Sequence, residues 1–213
     1  MRLALLLPFL ALVACAEDVA KDKVMAEVAP APAPVAAPAA APAGAAATAP
    51  ELTIDKSRSK INALGAKVTG QHDIVFPEFD GKVRLDGETP TSLSFTVQVA
   101  ALQTSPEKLV THFKSADFFE VEAHPTATFT SSEIKPLAGQ GDNTHEVTGD
   151  LTLRGVTRRV TFPARITVTP TDVTGHAQFG ITRQDFNIVY KGKADDLIQD
   201  NVVLTVDLVA PRA

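Results

Sequence analysis

The chain has 213 residues, 45% of them apolar, with 20 lysines and arginines against 25 aspartates and glutamates and a formal net charge of −5. That balance, without any basic run, disfavours nucleic-acid binding and electrostatic docking on anionic lipid heads. Cys15 is the only cysteine, so no internal disulfide can form.

Met1-Arg2 carries the first charge, and Leu3 to Ala14 is an almost unbroken apolar run. A dozen helical residues at about 1.5 Å each cannot cross a ~30 Å hydrocarbon core, so the run reads as a secretory signal peptide over residues 1–14. Leu12-Val13-Ala14-Cys15 resembles a bacterial lipobox. A diacylglyceryl group on Cys15 would explain a lone exported thiol, since two acyl chains anchor stably where one does not. Ala16, rather than Asp, after the cysteine favours the periplasmic face of the outer membrane, a sorting preference that depends on the organism. Residues 15–50 are expected to be the lipidated N-terminus and a linker, because Ala29 to Pro50 is almost wholly Ala and Pro. Proline removes backbone donors and fixes φ, so this tract predicts a semi-rigid spacer of on the order of 70 Å that holds the domain off the membrane.

The folded unit is expected over 51–213. Removing Arg2, Lys21 and Lys23 together with Glu17, Asp18, Asp22 and Glu27 leaves 17 basic against 21 acidic residues there, still net acidic. Strand signals recur: Leu52–Ile54, Ser59–Val68, His72–Phe76, and Lys82–Leu85 leading into an Asp86-Gly87 turn. Leu93, Phe95, Val97 and Val99 alternate with Ser94, Thr96 and Gln98, and Ala127 and Phe129 alternate with threonines. His145–Val168 is the strongest local signal. Two alternating halves flank Arg154-Gly155-Val156-Thr157 and predict a β-hairpin with one apolar face. Val173–Ile181, Ile188–Tyr190 and Val202–Val209 complete the set. One stretch breaks the two-residue period. Ser105 as N-cap, Pro106 in the first turn and Glu107 near the positive dipole end predict a short helix from Pro106 to Lys114. Many short antiparallel strands and one helix predict an all-β fold, a sandwich or, with a helix to plug it, a barrel.

Four segments then carry a resemblance. KVTGQHDIVFPEFDG (67–81), HFKSADFFEVEAHPTATFTSSEI (112–134), GDLTLRGVTRRVTF (149–162) and FGITRQDFNIVYKGKADDLIQDNVVLTVDL (179–208) resemble, in order, the signatures of the YceI-like family. The resemblance implies an antiparallel eight-stranded lipocalin-like barrel with one short helix that binds polyisoprenoid-type lipids. Two departures stand out: Leu109-Val110 where many members have Arg-Asp, and Phe186-Asn187 where the closing motif has Phe-Gly.

An eight-stranded barrel is just wide enough to be filled by side chains or to hold one small ligand. Phe95, Val97, Val99, Phe113, Phe118, Phe129, Leu151, Leu153, Phe162, Phe179 and Phe186 are the cavity candidates, with no ionisable residue at the matched inward positions. Periodicity alone does not separate a hollow barrel from a packed one. The family resemblance favours the hollow reading, with a non-covalent isoprenoid-type amphiphile such as a quinone as ligand. The alternative is an envelope adaptor whose filled barrel acts through its surface, for example with a membrane redox protein. Homodimerisation through an exposed strand or loop face stays open.

No catalytic constellation stands out. His72, His112, His124, His145 and His176 never fall at spacings that pre-build a metal site on one element. His72 is placed near the cavity mouth and His124, before Pro125, in a turn. There is no nucleophile elbow and no phosphate loop, so neither catalysis nor a cofactor is expected. Asp195-Asp196 reads as a solvated turn, Arg158-Arg159 as strand-edge charge, and Arg183 with Asp185 as a structural pair across a bend.

Overall fold

Period-two alternation from residue 51 onward can bury its apolar face only against another sheet or by curling, and the chain curls. The computed structural model describes residues 17–32, 51–139 and 141–212. The strands in chain order are β1 (Glu27–Pro30), β2 (Glu51–Thr53), β3 (Lys60–Lys67), β4 (Gly70–Val75), β5 (Phe79–Asp86), β6 (Thr89–Gln98) and β7 (Gln103–Thr104). After the helix α1 (Lys108–Lys114) come β8 (Thr126–Pro136), β9 (His145–Leu153), β10 (Val156–Val168), β11 (Asp172–Thr182), β12 (Gly192–Lys193), β13 (Asp196–Leu197) and β14 (Asn201–Pro211).

Twelve of these strands form one antiparallel sheet ordered β2-β5-β6-β8-β9-β10-β11-β14-β3-β4-β7, with β1 added beside β10. The family resemblance implied eight. Setting aside the short β1, β2 and β7 leaves nine, and the path ends at β2 and β7 without pairing them among the described residues. The result is a curled half-barrel, not a closed barrel.

The central hairpin is built as its pattern predicts. Arg154 and Gly155 both take positive φ (49° and 70°), the two-residue turn whose twist matches the flanking strands. Leu153 therefore pairs with Val156, Leu151 with Arg158 and Val147 with Phe162. Ile188–Tyr190, expected as a strand, is irregular; the chain there leaves a 3₁₀ turn at Arg183–Phe186 through Asn187 in the left-handed region. Asn tolerates that conformation, which accounts for its standing where the family's motif has Gly. The helix starts at Lys108, two residues later than expected, and no side chain caps it.

The N-terminal region departs from the expected linker. β10 pairs with β11 only over Arg165–Val168; towards its start the two strands part, and β1 takes the place by pairing Glu27–Pro30 with Thr161–Arg158. Gly180 of β11 gives its N–H to Val24 O at 2.9 Å and accepts the Ala26 N–H at 2.8 Å. Residues 17–30 are thus part of the wall, and Arg158-Arg159 is not an edge. Proline at position 30 is tolerated because it ends a short outer strand. The Ala/Pro tract follows β1 and precedes β2, so it does not stand between Cys15 and the barrel. Cys15, the signal-peptide segment and residues 33–50 lie outside the described residues. No described helix is long and apolar enough to cross a membrane.

Candidate functional site

Inside the curl lies a cavity of about 650 Å³, within the ~300–1,000 Å³ range of ligand pockets. Its walls are the inward faces of β3 to β6, β8 to β11 and β14, and α1 with Phe118 and Phe119 covers one end. The cause of the void is side-chain size. Ala63 and Gly65 on β3, Ala164 on β10, and Gly175 and Ala177 on β11 all fall at inward positions. A Cβ added at Gly65 or Gly175 would meet nothing within 4 Å. Val202, Leu204 and Val206, inward on β14, stay only half-buried because they face that empty space.

Of the residues expected to line a cavity, Phe95, Val97, Val99, Phe113, Phe118, Leu151, Leu153, Phe162 and Phe179 do so. Phe129 and Phe186 do not. Phe129 lies across Gly149, where an added Cβ would fall 2.5 Å from its ring. Phe95 stacks on it at 5.3 Å, and Phe162 closes its other side at 5.7 Å. Phe186 is fully buried in the 3₁₀ turn, packed beneath the wall with Ile181 and Phe179. Phe162 and Phe179 stack almost parallel at 4.1 Å and make a flat aromatic panel of the wall.

The lining is not free of ionisable groups, contrary to the sequence-based expectation. Lys67, His72, Lys108, His112, His176, Arg183, Lys193 and Asp196 line it, with Tyr190. All but His176, which lies mid-strand on β11, gather at one end and make a polar mouth over a largely apolar interior. Inward alternation fails there because Lys67 is the last residue of β3. Two aromatic contacts frame the opening: His112 meets Tyr190 edge-on at 5.1 Å and Phe118 at 4.9 Å. Lys67 donates to Asp196, and the Thr69 N–H donates to the same carboxylate at 3.1 Å. These hydrogen bonds, Lys67 foremost, hold the Asp196 carboxyl below its ordinary value. Asp196 is therefore a clasp between β13 and the β3–β4 turn rather than a solvated turn residue.

Two arginines hold the mouth in place. Arg183, only 4% exposed, donates to Ile188 O at 2.6 Å, Gln199 O at 2.9 Å and Asp200 at 2.9 Å. Its partner is Asp200, not the expected Asp185. Burial pulls its pKa below the ordinary guanidinium value, and Asp200 opposes that. Arg154, at the tip of the central hairpin, donates to Ala116 O at 2.6 Å, to Glu120 at 3.2 Å and to Asn187 O. It ties the hairpin to the segments after α1 and after the 3₁₀ turn. Among the described residues no group of three or more His, Cys, Asp or Glu side chains is arranged to hold a metal ion.

The YceI-like domain pattern matches residues 52–210. The chain belongs to the YceI-like family. It is 37% identical over 126 residues to a UPF0312 protein of Pseudomonas putida, covering 55% of this chain and 62% of that one. It is 35% identical over 121 residues to Protein YceI of Escherichia coli O157:H7, covering 53% and 61%. The chain thus spans about three-fifths or less of the length of the curated relatives it matches. Among solved structures, Burkholderia cenocepacia BcnA superposes with a TM-score of 0.66 at 27% identity, over 74% of this chain and 99% of that one. A polyisoprenoid-binding domain from Saccharophagus degradans, implicated in plant cell wall breakdown, superposes at 0.59 and 16% identity, over 76% and 98%. At that identity the second likeness carries the YceI-like fold alone.

Proposed function

We propose that this YceI-like protein is an exported, lipid-anchored envelope protein that binds and carries a long-chain isoprenoid-type amphiphile, tail inside the cavity and head at the mouth. The observation that carries the reading is the void itself, apolar in its depth and polar at one end. At about 30 Å³ per water-sized group, 650 Å³ takes on the order of 20 carbons. Each buried CH₂ contributes about 0.8 kcal/mol, so the gross gain is about 16 kcal/mol. Association costs of about 4–15 kcal/mol leave a net of about 1–12 kcal/mol, whose midpoint corresponds to an affinity on the order of 10 μM. No specific polar contact is needed for that. The polyisoprenoid-binding domain that shares the fold supports the choice of ligand class.

The filled-barrel adaptor reading is less well supported, because it needs a packed interior. Uptake of a polyprenol by the full chain with Cys15→Ser, followed by co-elution on gel filtration, tests the carrier reading. Saturable uptake near one molecule per chain supports it, and the absence of uptake overturns it. The anchor is tested separately. Cys15→Ser should release the protein from the membrane fraction, and a mutant still retained there would count against lipidation.

A further inference from the structure

Val68, Val189 and Leu197 are large apolar side chains left 52%, 60% and 49% exposed. The segments that carry them are neighbours. The Val68 N–H donates to Leu197 O at 3.1 Å, and the Ile198 N–H donates to Lys191 O at 3.0 Å, which brings the segments carrying all three side by side. None of the three lines the cavity, yet each adjoins a residue that does, namely Lys67, Tyr190 and Ile198. Isolated exposed apolar residues need no explanation, but a cluster rimmed by polar groups marks an interaction surface.

The path of the chain gives a second, independent observation. Glu17, the first described residue, is fixed at this same end. Gln199 donates its side-chain amide to Glu17 O at 2.9 Å and accepts the Val19 N–H at 3.0 Å, while Asn201 donates to Asp18 at 2.7 Å. Gln199 lines the cavity and follows Leu197 by two residues, about 7 Å of strand. Cys15 precedes Glu17 by two residues in the sequence, at most about 7 Å of chain.

We propose that the mouth end of the barrel docks on the lipid bilayer that holds the Cys15 anchor, with Val68, Val189 and Leu197 in the interfacial layer. This rests on the anchored-carrier reading above and adds the route: the amphiphile passes between bilayer and cavity without crossing water. Asp196 is paired with Lys67 and Asp200 with Arg183, which leaves Lys108, Lys191, Lys193 and Asp195 as the free charges at this end among the described residues; on zwitterionic lipid, apolar contact and the anchor hold the orientation.

Tyr190 is the only tyrosine, there is no tryptophan, and it sits at the mouth, so its emission is a built-in depth probe. The full chain carrying diacylglyceryl Cys15 is reconstituted on phosphatidylcholine vesicles with brominated or unbrominated acyl chains. The expected result is Tyr190 quenching by the brominated lipid that is lost in Val68→Glu/Leu197→Glu. That variant should stay membrane-bound through its anchor and keep its circular dichroism. No quenching in the native chain, or equal quenching in the variant, would overturn the proposal. No isoprenoid is present, so the two readings fail separately. Quenching by a chain that takes up no polyprenol removes only the carrier reading, whereas uptake without quenching removes the docking.

Discussion

Gly175→Phe tests the hollow interior from within. Gly175 lies on β11 opposite Ile166 and Leu208, both of which line the cavity, and an added Cβ meets nothing within 4 Å. The seven carbons of a benzyl group, at about 30 Å³ per water-sized group, occupy roughly 200 Å³ of the 650 Å³ void. Replacing a strand glycine removes an entropic cost of about 0.5–1 kcal/mol, so the fold should be unharmed or slightly stabilised. The bound tail, by contrast, loses room for about seven carbons, worth about 5–6 kcal/mol at 0.8 kcal/mol each. A tail that reroutes through the mouth recovers part of this. The expected loss of affinity for a long polyprenol is therefore about 10²–10⁴-fold, with a short prenol much less affected. The assay is a binding titration across tail lengths beside a thermal melt. Unchanged affinity for the long tail, or a melting point lowered by several degrees, would refute the assignment of Gly175 to an empty interior.

Three further outcomes follow from the same geometry. Gly149→Ala, on the same face of the sheet, should destabilise by about 1–3 kcal/mol in urea unfolding, because its Cβ would meet the Thr130 carbonyl at 2.6 Å and the Phe129 ring at 2.5 Å. Arg154→Ala should cost about 2–3 kcal/mol by the same measurement, since it removes charge-assisted bonds to Ala116, Glu120 and Asn187 at once; a cost within error of zero would mean the clamp is idle. The Asp196 carboxyl, held low by Lys67, contributes stability that is fully present above the ordinary aspartate value of about 3.9 and is lost as pH falls through its lowered value. Asp196→Asn should remove that portion of the acid-side loss, read as the difference between the wild-type and variant pH profiles.

The fold was legible where one pattern had one physical solution. His145–Val168 alternates on both sides of a glycine turn, and only a hairpin satisfies that. The cavity was less legible because a packed core and a hollow one need the same alternation. A signal was nevertheless there: Ala63, Gly65, Ala164, Gly175 and Ala177 are all small and all at inward parity, which leaves space that Phe95 on β6 and Phe162 and Phe179 farther along β10 and β11 do not fill. Phe129 and Phe186 were apolar and plausibly inward, but one is drawn over Gly149 and the other belongs to a 3₁₀ turn, where strand parity no longer applies. Of the polar mouth only His72 was anticipated, since α1, the last residue of β3, the loop at Tyr190 and a two-residue hairpin contribute most of the rest. β1 was hidden by composition. Ala29-Pro30 reads as linker, and only the divergence of β10 from β11, a long-range consequence of the curl, creates the slot that β1 fills. Asp185 lost Arg183 to Asp200 because the guanidinium turns inward beneath the closing loop, away from its near neighbour in sequence.

The account stands on an interior that holds an isoprenoid tail. Native mass spectrometry of the full chain with Cys15→Ser, expressed in bacteria and purified without detergent, then extracted with organic solvent, addresses that claim most directly. The account predicts a co-purifying mass in the range of an isoprenoid quinone or polyprenol, released on extraction and reduced in Gly175→Phe. A clean apo mass that stays apo after incubation with such lipids would contradict it.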